Sequence, residues 1–180
     1  MKKIALILAA ITLSACRSAV LIESEGRYVE IAATASIEIT QSIEVAPNSA
    51  RAFLQNGKVI SMGQLNLYDV NCEVEINTLS ESRQLIEPGI FNVLSIAQEE
   101  SPIVMSKPLM VASLTYAWAS DSPVDIKRYY HFKLSAQDPR SKSQVRAVIC
   151  RGAQDEPYKA RLPTFEQMRL AGGRYIIFNL

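Results

Sequence analysis

The chain has 180 residues, 48% of them apolar and 21% charged, with 19 basic against 18 acidic residues. This length supports one domain with a real core, and the apolar share is too high for a disordered tail. Near-neutral charge excludes the dense basic footprint of a general nucleic-acid binder, and one histidine and three cysteines leave little material for metal or nucleophile chemistry.

Residues 1–16 read MKKIALILAAITLSAC. Lys2 and Lys3 form a charged start, and Ile4 to Ala10 run apolar without a break. The stretch is too short for an ordinary spanning helix and has the layout of a secretory signal. Leu13-Ser14-Ala15-Cys16 resembles the lipobox of bacterial lipoproteins. That resemblance implies cleavage after residue 15 and lipid on Cys16, with several acyl chains making attachment permanent. Arg17, where an Asp often marks inner-membrane retention in that family, implies the outer membrane. Removing residues 1–15 takes away Lys2 and Lys3 and no acid, which leaves 17 basic and 18 acidic residues in a mature chain.

Residues 16–35 show no sustained period and read as a lipidated terminus and tether, with room for a short element. Residues 36–180 read as the folded domain. Ile37, Ile39, Ile43 and Val45 alternate with polar residues, the signature of a half-buried strand, broken only by Gln41 on the apolar side. Pro47-Asn48-Ser49 ends it. Arg51–Gln55 and Lys58–Ile60 flank Asn56-Gly57, a type I′ hairpin signal. Leu65 to Val70 and Cys72 to Asn77 are strand-like. Gln84–Ile86 and Ile90–Ala97 are separated by Glu87-Pro88-Gly89, which suits a type II turn. Pro102–Met105 and Leu109–Trp118 follow, divided by Pro108.

Ile126, Arg128, Tyr130, Phe132 and Leu134 alternate with Lys127, Tyr129, His131, Lys133 and Ser135. The first set is expected to face the core, with Arg128 at its edge, and the second to face water. Val145–Cys150 is apolar on both faces except at Arg146, as in a covered strand. Thr164 and Gln167 form a capping box before a helix with Phe165, Met168 and Leu170 or Ala171 inward. Gly172-Gly173 provides its exit, and Arg174–Leu180 reads as a last strand. The expected fold is mainly β, an antiparallel sandwich or small barrel with one short C-terminal helix.

Cys72 and Cys150 lie in strand-like segments 78 positions apart. In an oxidising compartment they suit one disulfide; two buried free thiols are the alternative. No metal-ligand spacing surrounds His131, and no C-x-x-C arrangement marks a redox pair. His131 falls on the wet face. Glu73 and Glu75 share a strand face about 7 Å apart, a pairing that can cleave a glycosidic bond or simply line a solvated edge. Lys127, Tyr129, His131 and Lys133 combine aromatic bodies with cationic tips and form a candidate binding face. Asp138–Ser143 is a polar loop suited to contacts or to plain connection. The best-marked catalytic motifs are absent from the sequence, and no cofactor is expected.

Residues 50–57, 70–74, 148–152 and 162–165 together resemble segments of a family of small exported envelope proteins of Gram-negative bacteria. The resemblance implies an envelope location and carries no activity. The expectation is therefore a non-enzymatic outer-membrane lipoprotein whose periplasmic or surface-facing β domain binds a protein or envelope component. It touches the membrane through its lipid and binds no nucleic acid. An envelope hydrolase using Glu73 or Glu75, and an inhibitor of a wall-degrading enzyme, are the alternatives.

Overall fold

The computed structural model describes residues 21–24, 27–30, 34–103, 124–137 and 145–180. Cys16, the segment Leu109–Trp118 and the loop Asp138–Ser143 lie outside the described residues. The described residues form twelve strands: β1 (Leu21–Ser24), β2 (Arg27–Glu30), β3 (Ser36–Ile39), β4 (Ile43–Val45), β5 (Ser49–Gln55) and β6 (Lys58–Ile60), then β7 (Asn71–Ser80), β8 (Gln84–Ile86), β9 (Gly89–Pro102), β10 (Ile126–Ala136), β11 (Val145–Arg151) and β12 (Ile176–Asn179). Helix α1 spans Phe165–Gly172. Eight strands form one antiparallel sheet in the order β12-β3-β9-β10-β11-β7-β5-β6. The fold is mainly β with one short C-terminal helix, and the large sheet curls into a half-barrel. Pairs β1–β2 and β4–β8 stand apart as small antiparallel ribbons.

Strand parity builds the core. Ile37, Leu54, Val74, Phe91, Phe132, Val148 and Ile176 point to one side and are buried. Phe132 lies between Tyr130 and Phe178, with ring centroids 6.1 and 5.9 Å away. Helix α1 packs against β5, β7 and β12, so it meets strands from both ends of the sheet order and fills the concave side. Its N-terminus carries the expected capping box: Gln167 N donates to Thr164 Oγ1 at 3.3 Å, and Thr164 N donates to Gln167 Oε1 at 2.9 Å. Met168, Ala171 and Gly172 are buried. Of the two residues that could complete the stripe, Ala171 does so, and Leu170 is exposed.

The Asn56-Gly57 turn forms as expected, with φ of 52° and 70° and Gln55 opposite Lys58. Its tip touches the helix exit: Gly57 N donates to Ala171 O at 3.1 Å. A Cβ on Gly173, which has φ 55°, would lie 2.3 Å from Gly57 Cα. Beyond the end of β6, the backbone of Arg51 is satisfied locally, because Ser49 Oγ accepts from Arg51 N and donates to Arg51 O.

The tether has the short element it left room for, the hairpin β1–β2, whose Ile22 is buried in the core. Three sequence expectations are corrected. The alternating run from Ile37 to Val45 is two strands in different sheets, parted at exposed Gln41, which interrupts the apolar set. Leu65–Val70 is a loop after a 3-10 turn at Met62–Gln64, organised by side-chain bonds such as Asn66 Nδ2 to Asp69 Oδ2 at 2.9 Å. Glu87-Pro88-Gly89 is no type II turn, since Gly89 lacks the positive φ that turn requires and the flanking strands pair elsewhere.

Gly173→Ala combines an unfavourable φ with a clash against backbone. It should lower stability by about 2–4 kcal/mol, measured by urea denaturation. An exposed control, Gly63→Ala, meets nothing within 4 Å and should change little.

Candidate functional site

Strand β7 sends Cys72, Val74 and Ile76 to the core and Asn71, Glu73 and Glu75 to the opposite, outer face. Cys72 and Cys150 are direct cross-strand partners and form a disulfide in the buried core, with Cα atoms 4.1 Å apart. The same register places Asn71 opposite Arg151 and Glu73 opposite Ile149 on the outer face. On the other flank of β7, Arg51 faces Glu75 and Phe53 faces Glu73.

Glu73 and Glu75 are each only 4% exposed, which corrects the expectation of a solvated edge. Arginines on both neighbouring strands cover them. Arg151 Nε donates to Glu73 Oε1 at 2.7 Å, and Arg51 Nη1 reaches Glu73 Oε2 at 3.5 Å. Glu75 Oε1 accepts from Arg51 Nη2 at 3.0 Å and pairs with Arg146 Nη2 at 2.8 Å. Burial pushes the Glu75 carboxyl up, but bonds from Arg146 and Arg51 outweigh it and hold it below its ordinary value. The ladder continues sideways. The Arg151 guanidinium lies 4.4 Å from the Tyr129 ring centroid, and the Tyr129 hydroxyl donates to Glu99 Oε2 at 2.7 Å. Burial, followed by that bond to Glu99, raises the Tyr129 phenol. His131 Nδ1 lies 3.5 Å from Glu99 Oε1.

The four residues of the expected binding face share the outer side of β10 but not one environment. Lys133 is exposed, and Tyr129 and His131 are half-buried. Lys127 is 4% exposed, a correction to its expected place in water. Its Nζ donates to Asn71 Oδ1 at 3.5 Å. Burial first, then the nearby Arg151 charge, lower its pKa to about 8, with Glu73 opposing. Arg128, expected at the edge of the core, is half-buried and reaches Pro157 O at 3.3 Å. Nearby, the loop after β6 closes over the face: buried Gln55 donates to Asn66 O at 2.8 Å and accepts from Asn66 N at 3.0 Å.

A groove of about 840 Å³ opens beside β5 and β6, with Ala46, Pro47, Ala50, Phe53, Ile60 and Met62 among its lining and Arg51 and Glu75 in its wall. Among the described residues, no cluster of three His, Cys, Asp or Glu side chains could hold a metal ion. Sequence reasoning found Glu73, Glu75 and the β10 face but missed Arg51, Arg151 and Asn71. The available signal was opposite charge on the outward parity of separate strands, and the order of those strands was needed to read it.

No family model, curated protein or solved structure matches the chain. The site is therefore read from its own chemistry.

Two predictions follow from these contacts. Glu73 is held by a largely buried Arg151, whereas both partners of Glu75 are substantially exposed. Glu73→Gln should therefore cost about 3 kcal/mol and Glu75→Gln about 1 kcal/mol, read by chemical denaturation at pH 7. For Lys127, a folded pKa of about 8 against an ordinary 10.5 means that the unfolded state binds more protons between these values. Stability should rise from pH 8 toward about 10, where tyrosines begin to ionise. Lys127→Met should abolish that rise, as measured by melting across the pH series.

Proposed function

We propose that the chain is a non-enzymatic envelope lipoprotein, anchored at the outer membrane through Cys16, whose β domain binds a protein or other envelope component. The reading of location rests on the leader and its lipobox. A core disulfide agrees with it, because such bonds persist in oxidising compartments outside the cytosol. The observation that carries the binding reading is the outer face of β9, β10 and β11. There Tyr129, His131, Lys133, Glu99 and Arg151 present aromatic surface and charge of both signs on a rigid sheet. Aromatic and arginine side chains on a preorganised surface suit contact with a partner.

The chemistry of the carboxylates supports a binding role over hydrolysis. A glycosidase of the usual type needs one carboxyl kept protonated by a raised pKa. Glu75 is instead held ionised by Arg146 and Arg51, and Glu73 is engaged by Arg151 and Arg51. Both serve as anchors for the arginines that shape the face. A lipid anchor would add to recognition by raising the effective concentration of this face near membrane partners.

Two measurements test the reading separately. In cells fed a labelled fatty acid, the wild-type chain should take up label and Cys16→Ala should not; equal labelling of both removes the anchor. A photo-crosslinking amino acid at Lys133 should capture a discrete partner in intact cells, and Tyr129→Ala should reduce the yield at least severalfold. Capture that is unaffected by Tyr129→Ala would show that this face is not the contact.

A further inference from the structure

The large sheet loses a strand at one edge. β6 ends at Ile60, opposite Phe53, while β5 runs back to Ser49 with no neighbour on that side. The notch left there is the groove of about 840 Å³. Its lining is mostly apolar, with Ala46 and Pro47 from the chain entering β5, Phe53 from β5, and Val59, Ile60 and Met62 from β6 and the turn after it. Phe53, Val59 and Ile60 are half-buried, and Met62 at the rim is 74% exposed. A bare sheet edge ordinarily invites an added strand. Here the backbone is already used. The two-residue hairpin register turns Arg51 N and O toward the notch, and both bond Ser49 Oγ, at 3.1 and 2.8 Å. On the opposite rim, Ser61 N donates to Gln64 Oε1 at 3.2 Å, and Ser61 O accepts from Gln64 N at 3.0 Å. An extended peptide would find no row of open N–H and C=O groups to pair with. What the groove offers is apolar side-chain surface.

One cation stands in this wall. Arg51 Nε and Nη2 bond Glu75 Oε1 at 3.2 and 3.0 Å, and Nη1 reaches Glu73 Oε2 at 3.5 Å. These bonds use three of the five guanidinium donors and leave two, on a side chain that is 42% exposed. The carboxylates around the groove each have another arginine. Glu44, in the lining, pairs with Arg83 at 3.0 Å, Glu75 with Arg146 at 2.8 Å, and Glu73 with Arg151 at 2.7 Å. Arg51 is therefore the cation in excess, held from behind by two buried glutamates.

We propose that this groove binds a fatty acid, with its chain along Phe53, Ile60 and Met62 and its carboxylate on Arg51. The apolar lining takes the hydrocarbon out of water, and Met62 adapts to its shape. A charge-assisted bond to Arg51 fixes the other end of the ligand. The volume falls in the range of small-molecule sites. The groove lies across β7 from the Tyr129 rim, so the inference needs neither a protein partner there nor a lipid anchor.

The test is calorimetric titration of dodecanoate, below its micelle-forming concentration, into the full chain at pH 7. Dodecanoate should bind saturably at one site, and affinity should rise about two- to fourfold per methylene from octanoate to dodecanoate. Dodecanol, which has the same chain without the charge, should bind about tenfold more weakly. Arg51→Gln should weaken dodecanoate and spare dodecanol, and Arg51→Lys should keep most of the preference. Ile60→Asp should weaken both ligands, whereas Leu79→Asp, an exposed change outside the groove, should alter neither. Absence of saturation, indifference to chain length, or unchanged dodecanoate affinity in Arg51→Gln or Ile60→Asp would each overturn the proposal. A dimer in sedimentation that Ile60→Asp disperses and dodecanoate leaves intact would give the groove to a second copy instead. Should the variants fail to fold, the wild-type comparison decides alone: dodecanol or octanoate binding as tightly as dodecanoate rejects the site.

Discussion

The pairing of Cys72 with Cys150 is the constraint on which the rest of the molecule depends. The bond joins residues directly opposite each other on β7 and β11, near the middle of the sheet. A one-residue slip between these strands would send every side chain to the wrong face. The covalent link forbids it. Fixing Cys72 inward fixes Val74 and Ile76 inward beside it and drives Asn71, Glu73 and Glu75 outward. Cys72 Sγ also lies 3.9 Å from Met168 O, so the helix settles against the same point. In the chain-entropy view, a loop of this length stabilises the fold by roughly 4 kcal/mol, but the positional effect matters as much. Core, helix seat and polar face share one register.

The outer face is costly for a protein of this size. Two carboxylates, an amine and an amide are all below a tenth exposed, and desolvating such groups usually offsets what their pairing returns. Hydrophobic residues would cover the same strands more cheaply. The arrangement limits how the neighbouring strands can pair, because β5 and β11 must each bring an arginine to a particular glutamate. It also holds Arg151 against Tyr129 and leaves the tyrosine hydroxyl aimed at Glu99, so the exposed rim is positioned from below. Preorganisation of this kind lowers the entropy lost when a surface engages a partner.

Much of the local structure was legible in the sequence because it depends on short-range rules. Asn56-Gly57, the Thr164–Gln167 capping box and the alternation along β10 are set by neighbouring residues alone. Failures arose where distance decides. Lys127 reads as a surface lysine by parity, yet it is buried and bonds Asn71 of β7, a strand distant in sequence. Glu73 and Glu75 look solvated until β5 and β11, far away in sequence, supply Arg51, Arg146 and Arg151. Leu65–Val70 has strand composition, yet Gln55 and the Asn66–Asp69 bonds hold it as a loop. Gly89 follows a proline as turn glycines do, although its neighbours leave for two different sheets.

The strand order also carries a temporal consequence. β3, near the start of the described domain, lies between β9 and β12, and β12 is the last strand in the chain. The contact between Gly57 and Gly173 likewise joins an early hairpin to a late helix exit. Neither the sheet edge nor the concave side can be completed while the final residues are missing. Such a topology is rich in contacts between distant residues, which slows assembly. A chain of this kind cannot close its sheet until β12 has joined β3, so its early and late segments fold as one unit.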